Sequence, residues 1–199
     1  MIVEFGALDR QRVLEAAARL ETELFGSEAW NLDTLRCEMA DPSRIYLADI
    51  TDSANPTDFT DAADPGGSGQ DTAARRKSPR PSPSYPLMRG YAGMWHADGQ
   101  AEIMTIGVAK RFQRQGIAGN LLDGLIDYAR SCKVRRIKLE VRVDNEPAKR
   151  LYHNRGFNDI GLLRHYYQPE DIDAVEMALD LETHIMGFGS VKQNMEQMQ

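Results

Sequence analysis

Cysteine is scarce in this 199-residue chain. Cys37 and Cys132 are too few for a disulfide scaffold, and their separation is not that of a metal-binding pair. No stretch approaches the ~18 uninterrupted apolar residues of a membrane span. Basic charge is not in excess either: 30 acidic residues outweigh 24 lysines and arginines, leaving a net charge of −6. A nucleic-acid footprint over the whole chain is therefore not expected. Glu4 and Asp9 come too early for the basic-then-apolar opening of a signal peptide. The four histidines, His96, His153, His165 and His184, are scattered and suggest no metal site. These absences lead to the expectation of a cytoplasmic protein without membrane or direct nucleic-acid contacts. What is present is 42% apolar residues, enough to bury a proper core. The length suits one domain at the usual ~100–200 residues.

One segment stands apart. Residues 51–86 hold six of the nine prolines, and Phe59 and Tyr85 are the exceptions to a near absence of bulky apolar residues. Aspartates fill its first part, and Arg75, Arg76, Lys77 and Arg80 its second. Such a stretch cannot bury enough apolar surface to offset its ordering entropy, so it reads as a disordered insertion between two strands. The expected organisation is a single domain over 1–182, interrupted by this insertion, with a flexible tail over 183–199.

The remainder alternates between helical and strand periods. Helices are expected over 8–25, from Asn31 as N-cap to Met39, over 116–131 and over 145–154; Gly156 would end the last in a left-handed cap. Strands are expected over 2–5, 44–50, 88–95, 101–108, 136–143, 157–167 and 174–181. In 136–143, Ile137, Leu139, Val141 and Val143 point one way and Lys138, Glu140 and Arg142 the other. The strands at 44–50 and 88–95 flank the insertion and should pair as a hairpin. This is a mixed α/β domain on one central sheet.

The strand at 101–108 runs into Ala109-Lys110-Arg111-Phe112-Gln113-Arg114-Gln115-Gly116-Ile117-Ala118-Gly119 and then a helix. Glycine and small residues at such a turn leave backbone N–H groups bare at a helix N-terminus, where they favour an anion such as phosphate. The turn is neither a Walker loop nor a Rossmann fingerprint. Spacing alone is equally consistent with an ordinary turn whose glycines allow close packing.

Gln113-x-x-Gly116-x-Ala118 after a strand ending in Val108 resembles the acyl-CoA-binding motif of the GNAT N-acetyltransferase superfamily. Downstream, Leu139-Glu140-Val141-Arg142-Val143-Asp144-Asn145, Ala148, Leu151-Tyr152, Gly156-Phe157, Tyr166-Tyr167 and Asp173-Ala174-x-x-Met177 resemble its RimI branch, the ribosomal-protein alanine N-acetyltransferases. The likeness is dense over 101–181 and looser over 8–50. The insertion has no counterpart in that pattern. The resemblance implies the GNAT fold, a mixed central sheet flanked by helices, with acetyl-CoA as co-substrate and no metal. It also implies acyl-CoA contacts from Ile106, Val108, Gln113, Arg114, Gln115, Gly116, Ile117, Ala118 and Gly119, with a backbone N–H near Val108 stabilising the oxyanion.

By its pattern Glu140 is a solvated carboxylate on a sheet face; the resemblance makes it the general base. Tyr152 is a packing aromatic by position and the general acid by resemblance, protonating the departing thiolate. Asn145 caps the helix it precedes, and the resemblance adds a contact to the CoA arm. Lys149 and Arg150 read as solvated helix charges, with contact to CoA phosphates as the alternative the resemblance offers. Tyr166 and Tyr167 are implied to border the peptide groove, although alternation would send them to opposite faces, making one a packing residue. Cys132, with no base near it in sequence, reads as structural, which argues against a cysteine acyl-enzyme.

The expected activity is therefore direct acetyl transfer to the N-terminal alanine of a small-subunit ribosomal protein, by a monomer. The acidic balance suits a cationic partner. Acetylation of lysine side chains or of several N-termini, and a non-catalytic acyl-CoA-binding module, are the alternatives.

Overall fold

The computed structural model describes residues 1–26, 29–51 and 87–181. Its strands are β1 (Ile2–Glu4), β2 (Arg44–Thr51), β3 (Leu87–Ala97), β4 (Gln100–Val108), β5 (Arg136–Arg142), β6 (Asn158–Tyr167) and β7 (Ile172–Asp180). Its helices are α1 (Arg10–Phe25), α2 (Leu32–Glu38), α3 (Ile117–Ser131) and α4 (Glu146–His153). The seven strands form one sheet in the order β1-β2-β3-β4-β5-β7-β6. Every adjacent pair is antiparallel except β4 and β5, which run parallel.

Strand alternation divides the core between the two faces of the sheet. Ile45 and Leu47 of β2, Ala101 and Ile103 of β4, and Ile137, Leu139 and Val141 of β5 meet Leu121, Leu122, Leu125 and Ile126 of α3 and Tyr152 of α4. On the other face Tyr46, Ala48 and Tyr91 meet Val13, Leu14, Ala17 and Leu20 of α1 and Leu35 of α2. Helices α1 and α2 cover β2, β3 and part of β4 on that face, and the polar side of β5 lies beyond them.

The helices begin where their capping residues dictate. Asp9 accepts from the Arg12 N–H at 3.1 Å, so α1 starts at Arg10 rather than at Leu8. The Asn31 Oδ1 accepts from the Thr34 N–H at 2.9 Å. Asn31→Ala should therefore lower the unfolding free energy by about 1 kcal/mol in a urea titration. Gly156, at φ 88°, closes the end of α4, with Gly156 N–H bonded to the His153 carbonyl at 3.0 Å and Phe157 N–H to that of Tyr152 at 3.2 Å.

The hairpin around the insertion is present: β2 and β3 pair antiparallel from Arg44↔Trp95 to Thr51↔Leu87. Thr51, expected in the insertion, is instead the last residue of β2. The rest of the expected insertion, 52–86, and the expected tail from 183 onward lie outside the described residues. Phe5–Ala7 and Lys110–Phe112 form short 3-10 turns that the apolar periodicity did not signal. Cys132 is exposed at the end of α3, so it is not a packing residue.

Candidate functional site

The parallel pair β4–β5 is joined only at its beginning, through Gln100↔Arg136, Ala101↔Ile137 and Glu102↔Lys138. Beyond Glu102 the strands part. A bulge contributes: Gly93 and Met94 of β3 face Thr105 and Ile103, so Met104 is the extra residue in β4, and a bulge bends its strand. The groups facing the gap follow from alternation. The Ala109 N–H points to β3, bonding the Arg89 carbonyl at 2.9 Å, so the N–H groups of Val108 and Ile106 point toward the gap. On the far side the Val143 N–H reaches the Asp173 carbonyl next to β7 at 3.0 Å, so the backbone groups of Glu140 and Arg142 face the gap as well. A slot lined by backbone groups that no sheet ladder uses runs through the sheet; of these the Arg142 carbonyl accepts from the Asn145 N–H at 3.0 Å.

At the end of β4 the chain turns into α3. Gly116, at φ 81°, is the N-cap of α3, with no side chain bonded across the cap and no acidic residue in the first turn. The opening N–H groups of a helix have no intrahelical acceptor, so this terminus is electropositive and open to an anion. Arg114 and Gln115 are exposed beside it, whereas Ile117 is buried and offers only its backbone. The Gln113 side chain turns back, its Nε2 donating to the Val108 carbonyl at 3.2 Å. Ala118 packs against the core. Gly119 has a packing reason to be glycine: a Cβ there would strike the Arg155 guanidinium, which holds Asp123 of α3 at 2.7 and 3.1 Å.

Glu140 is half-buried on the face of β5 opposite α3 and α4. Burial raises its carboxyl pKa above the ordinary value, Glu102 and Glu176 add to the rise, and Lys138 and its own backbone N–H oppose it. Tyr152 lies on the other face. Its ring is buried, with its centroid 5.9 Å from that of Phe157, and its hydroxyl has no hydrogen-bond partner among the described residues. Burial, with a smaller contribution from Tyr167, pushes the phenol up to about 12.

Asn145 caps α4, its Oδ1 accepting from the Ala148 N–H at 3.2 Å. Lys149 departs from the expectation of a solvated charge: its Nζ donates to the Val143 carbonyl at 2.7 Å and pairs with Glu146 at 2.6 Å. Arg150 is exposed. Tyr166 and Tyr167 do not point to opposite faces. The β6–β7 register slips between Leu163 and Tyr167, with His165 at φ 56°, and the two rings lie edge to face with centroids 5.1 Å apart. Both phenols are raised, by burial first and also by the Glu140 charge, so both belong to the surroundings of that carboxylate.

Several residues of this region carry no motif. Glu23 of α1 accepts from the Lys110 N–H at 2.8 Å and pins the turn after β4. Glu21 is buried, bonded by the Tyr91 hydroxyl and by the Trp30 N–H at 2.8 Å. Glu21 sits in helical register with Val13, Leu14, Ala17 and Leu20, the one signal that could have placed it inside. Among the described residues no cluster of three or more His, Cys, Asp or Glu is arranged to hold a metal ion, and no helix is long and apolar enough to cross a membrane.

A bulged β4 parting from a parallel β5, with an open helix N-terminus at its end, defines an acyl-CoA-dependent N-acyltransferase fold. The chain belongs to the GNAT acetyltransferase family and is an N-acetyltransferase; the family model for acetyltransferases (GNAT) matches residues 88–157. It is 32% identical to the N-alpha-acetyltransferase RimI of Mycobacterium tuberculosis over 183 residues, which is 89% of this chain and 92% of the relative. It is 39% identical over 84 residues to the ribosomal protein bS18-alanine N-acetyltransferase of Escherichia coli K12, covering 41% of this chain and 57% of that one. The crystal structure of the ribosomal-protein-S18-alanine N-acetyltransferase from Escherichia coli superposes with a TM-score of 0.67 at 23% identity. That superposition covers 94% of this chain and 99% of the other. The GNAT family uses acetyl-CoA.

Proposed function

We propose that this enzyme acetylates protein N-terminal amines from acetyl-CoA, and that its acceptor is the N-terminal alanine of a small-subunit ribosomal protein. One observation carries the chemistry: Glu140 and Tyr152 sit on opposite faces of the sheet, with the β4–β5 slot between them. Donor and acceptor can then approach from opposite sides and meet in the slot. The relatives named for acetylation of N-terminal amines and of the bS18 alanine support the choice of acceptor.

In this reading acetyl-CoA supplies the acetyl group as a thioester. The N–H groups of the 113–119 turn hold its pyrophosphate, helped by the charge of Arg114, and Asn145 meets its arm. Glu140, directly or through water, takes a proton from the acceptor ammonium. An N-terminal amine, with a reference pKa of about 7.7–8.0 against about 10.4 for lysine, gives that proton up near neutral pH. The freed nitrogen forms the amide bond as the carbon–sulfur bond breaks. The Val108 N–H stabilises the charge that develops on the carbonyl oxygen. Tyr152 protonates the departing thiolate. No covalent acyl-enzyme is needed, and positioning does most of the work. Tyr166 and Tyr167 border the acceptor peptide beside Glu140.

The test is acetyl-CoA turnover on peptides beginning with free alanine, beside N-terminally blocked peptides containing lysine. Turnover confined to the free alanine ends is expected. Turnover on the blocked lysine peptides would move the acceptor to side chains. Binding of CoA with no turnover on either peptide would leave a non-catalytic module.

A further inference from the structure

Glu140 does not stand alone on its face of the sheet. Directly across the β5–β7 ladder its partner is Glu176. Like charges set directly opposite destabilise a sheet, so the pair calls for relief. Two features provide it. Lys138, two residues back on the same face, sends its Nζ diagonally to the Glu176 Oε1 at 2.8 Å. On the other flank Glu176 faces Gly161 of β6, and a Cβ at that position would lie 3.2 Å from the Glu176 Oε2. The glycine thus leaves room for the carboxylate to lean away from Glu140.

We infer that Lys138 and Glu176 are positioning residues for Glu140: their ion pair neutralises the carboxylate opposite the base, keeps the ammonium off the base, and leaves Glu140 the carboxylate free to take a proton from the acceptor. The inference rests on the reading of Glu140 as the base. The groups facing Glu140 are Glu102 from β4, Lys138 and Arg142 from β5, Glu176 from β7 and Tyr166 and Tyr167 from β6. Arg142 is occupied by Asp144, its Nε and Nη2 each donating to a carboxylate oxygen at 3.1 Å. Lys138 therefore decides the local balance, because it has Glu102 opposite it on β4 and Glu176 diagonally across on β7, and it bonds Glu176.

The experiment uses two variants of the full chain, Glu176→Gln and Lys138→Met, with thermal unfolding to confirm that both fold. Both side chains are partly exposed, so neither change should open the core. Glu176→Gln removes a negative neighbour and frees the Lys138 ammonium for Glu140, so the acid limb of kcat/KM against pH should move to lower pH. Lys138→Met removes the ammonium and leaves Glu176 unneutralised, so the limb should move to higher pH. At a pH below the wild-type midpoint the rate relative to the plateau should rise in the first and fall in the second, each roughly 2–5-fold. The Glu140 carboxyl carbon, followed by NMR titration, should move in the same two directions. That titration needs no turnover, so it reads the effect of the pair on Glu140 separately from whether Glu140 is the base. Shifts in one common direction, or none, would overturn it.

Discussion

Glu140→Gln is expected to lower kcat/KM at pH 7 by about 10²–10⁴-fold, the usual worth of a positioned general base. Affinity for CoA should be retained. The amide keeps the shape of the carboxylate but cannot take a proton, and the 113–119 turn and the Val108 N–H are untouched. In the wild type the rate should fall as pH drops through the Glu140 pKa, which burial and the neighbouring carboxylates hold above its ordinary value. The variant should lose that limb. Stability should change in the opposite sense. A carboxyl whose pKa is raised by folding binds its proton more tightly when folded, so its ionisation destabilises the fold as pH rises from about 4.5. The neutral glutamine should hold or raise the melting temperature at pH 7 and change little at pH 3. Near-normal turnover in Glu140→Gln would remove this residue from the chemistry.

Tyr152→Phe is expected to lower kcat by about 10²-fold while KM and folding change little. The phenylalanine ring keeps the packing against Phe157. Only the hydroxyl, unbonded within the described protein, is lost. Because the phenol is pushed up to about 12, it remains a proton donor throughout the working range, and the wild-type rate should not decline through pH 10 on its account. Steady-state kinetics with a product-release control distinguish this from a packing defect. A variant with unchanged kcat would make Tyr152 a core aromatic and no more.

The motif-bearing half of the chain was the most legible. The turn at 113–119, the alternation of 136–143 and the cap at Asn145 are local signals, and each maps onto an element within a residue or two. The slot between β4 and β5 was not legible, because parting strands and a bulge at Met104 depend on partners far away in the chain. The paired rings of Tyr166 and Tyr167 were misread for a related reason. Strict alternation holds only in a regular strand, and the slip near His165 breaks it. Glu176 and Lys138 look like ordinary polar strand residues, and only the β5–β7 register makes them neighbours of Glu140.

The β2–β3 hairpin carries a consequence of its own. Its open end, Thr51↔Leu87, lies three residues of β3 from Gly90, which pairs with Val108 at the end of β4. The chain thus leaves the sheet at Thr51 and rejoins it at Leu87 on the side where β3 pairs with the end of β4. The ladder already holds Thr51 and Leu87 together, and lengthening a connection between fixed ends costs only about 0.6 kcal/mol per doubling. Evolution can therefore lengthen, shorten or recharge the sequence between Thr51 and Leu87 with little effect on the core.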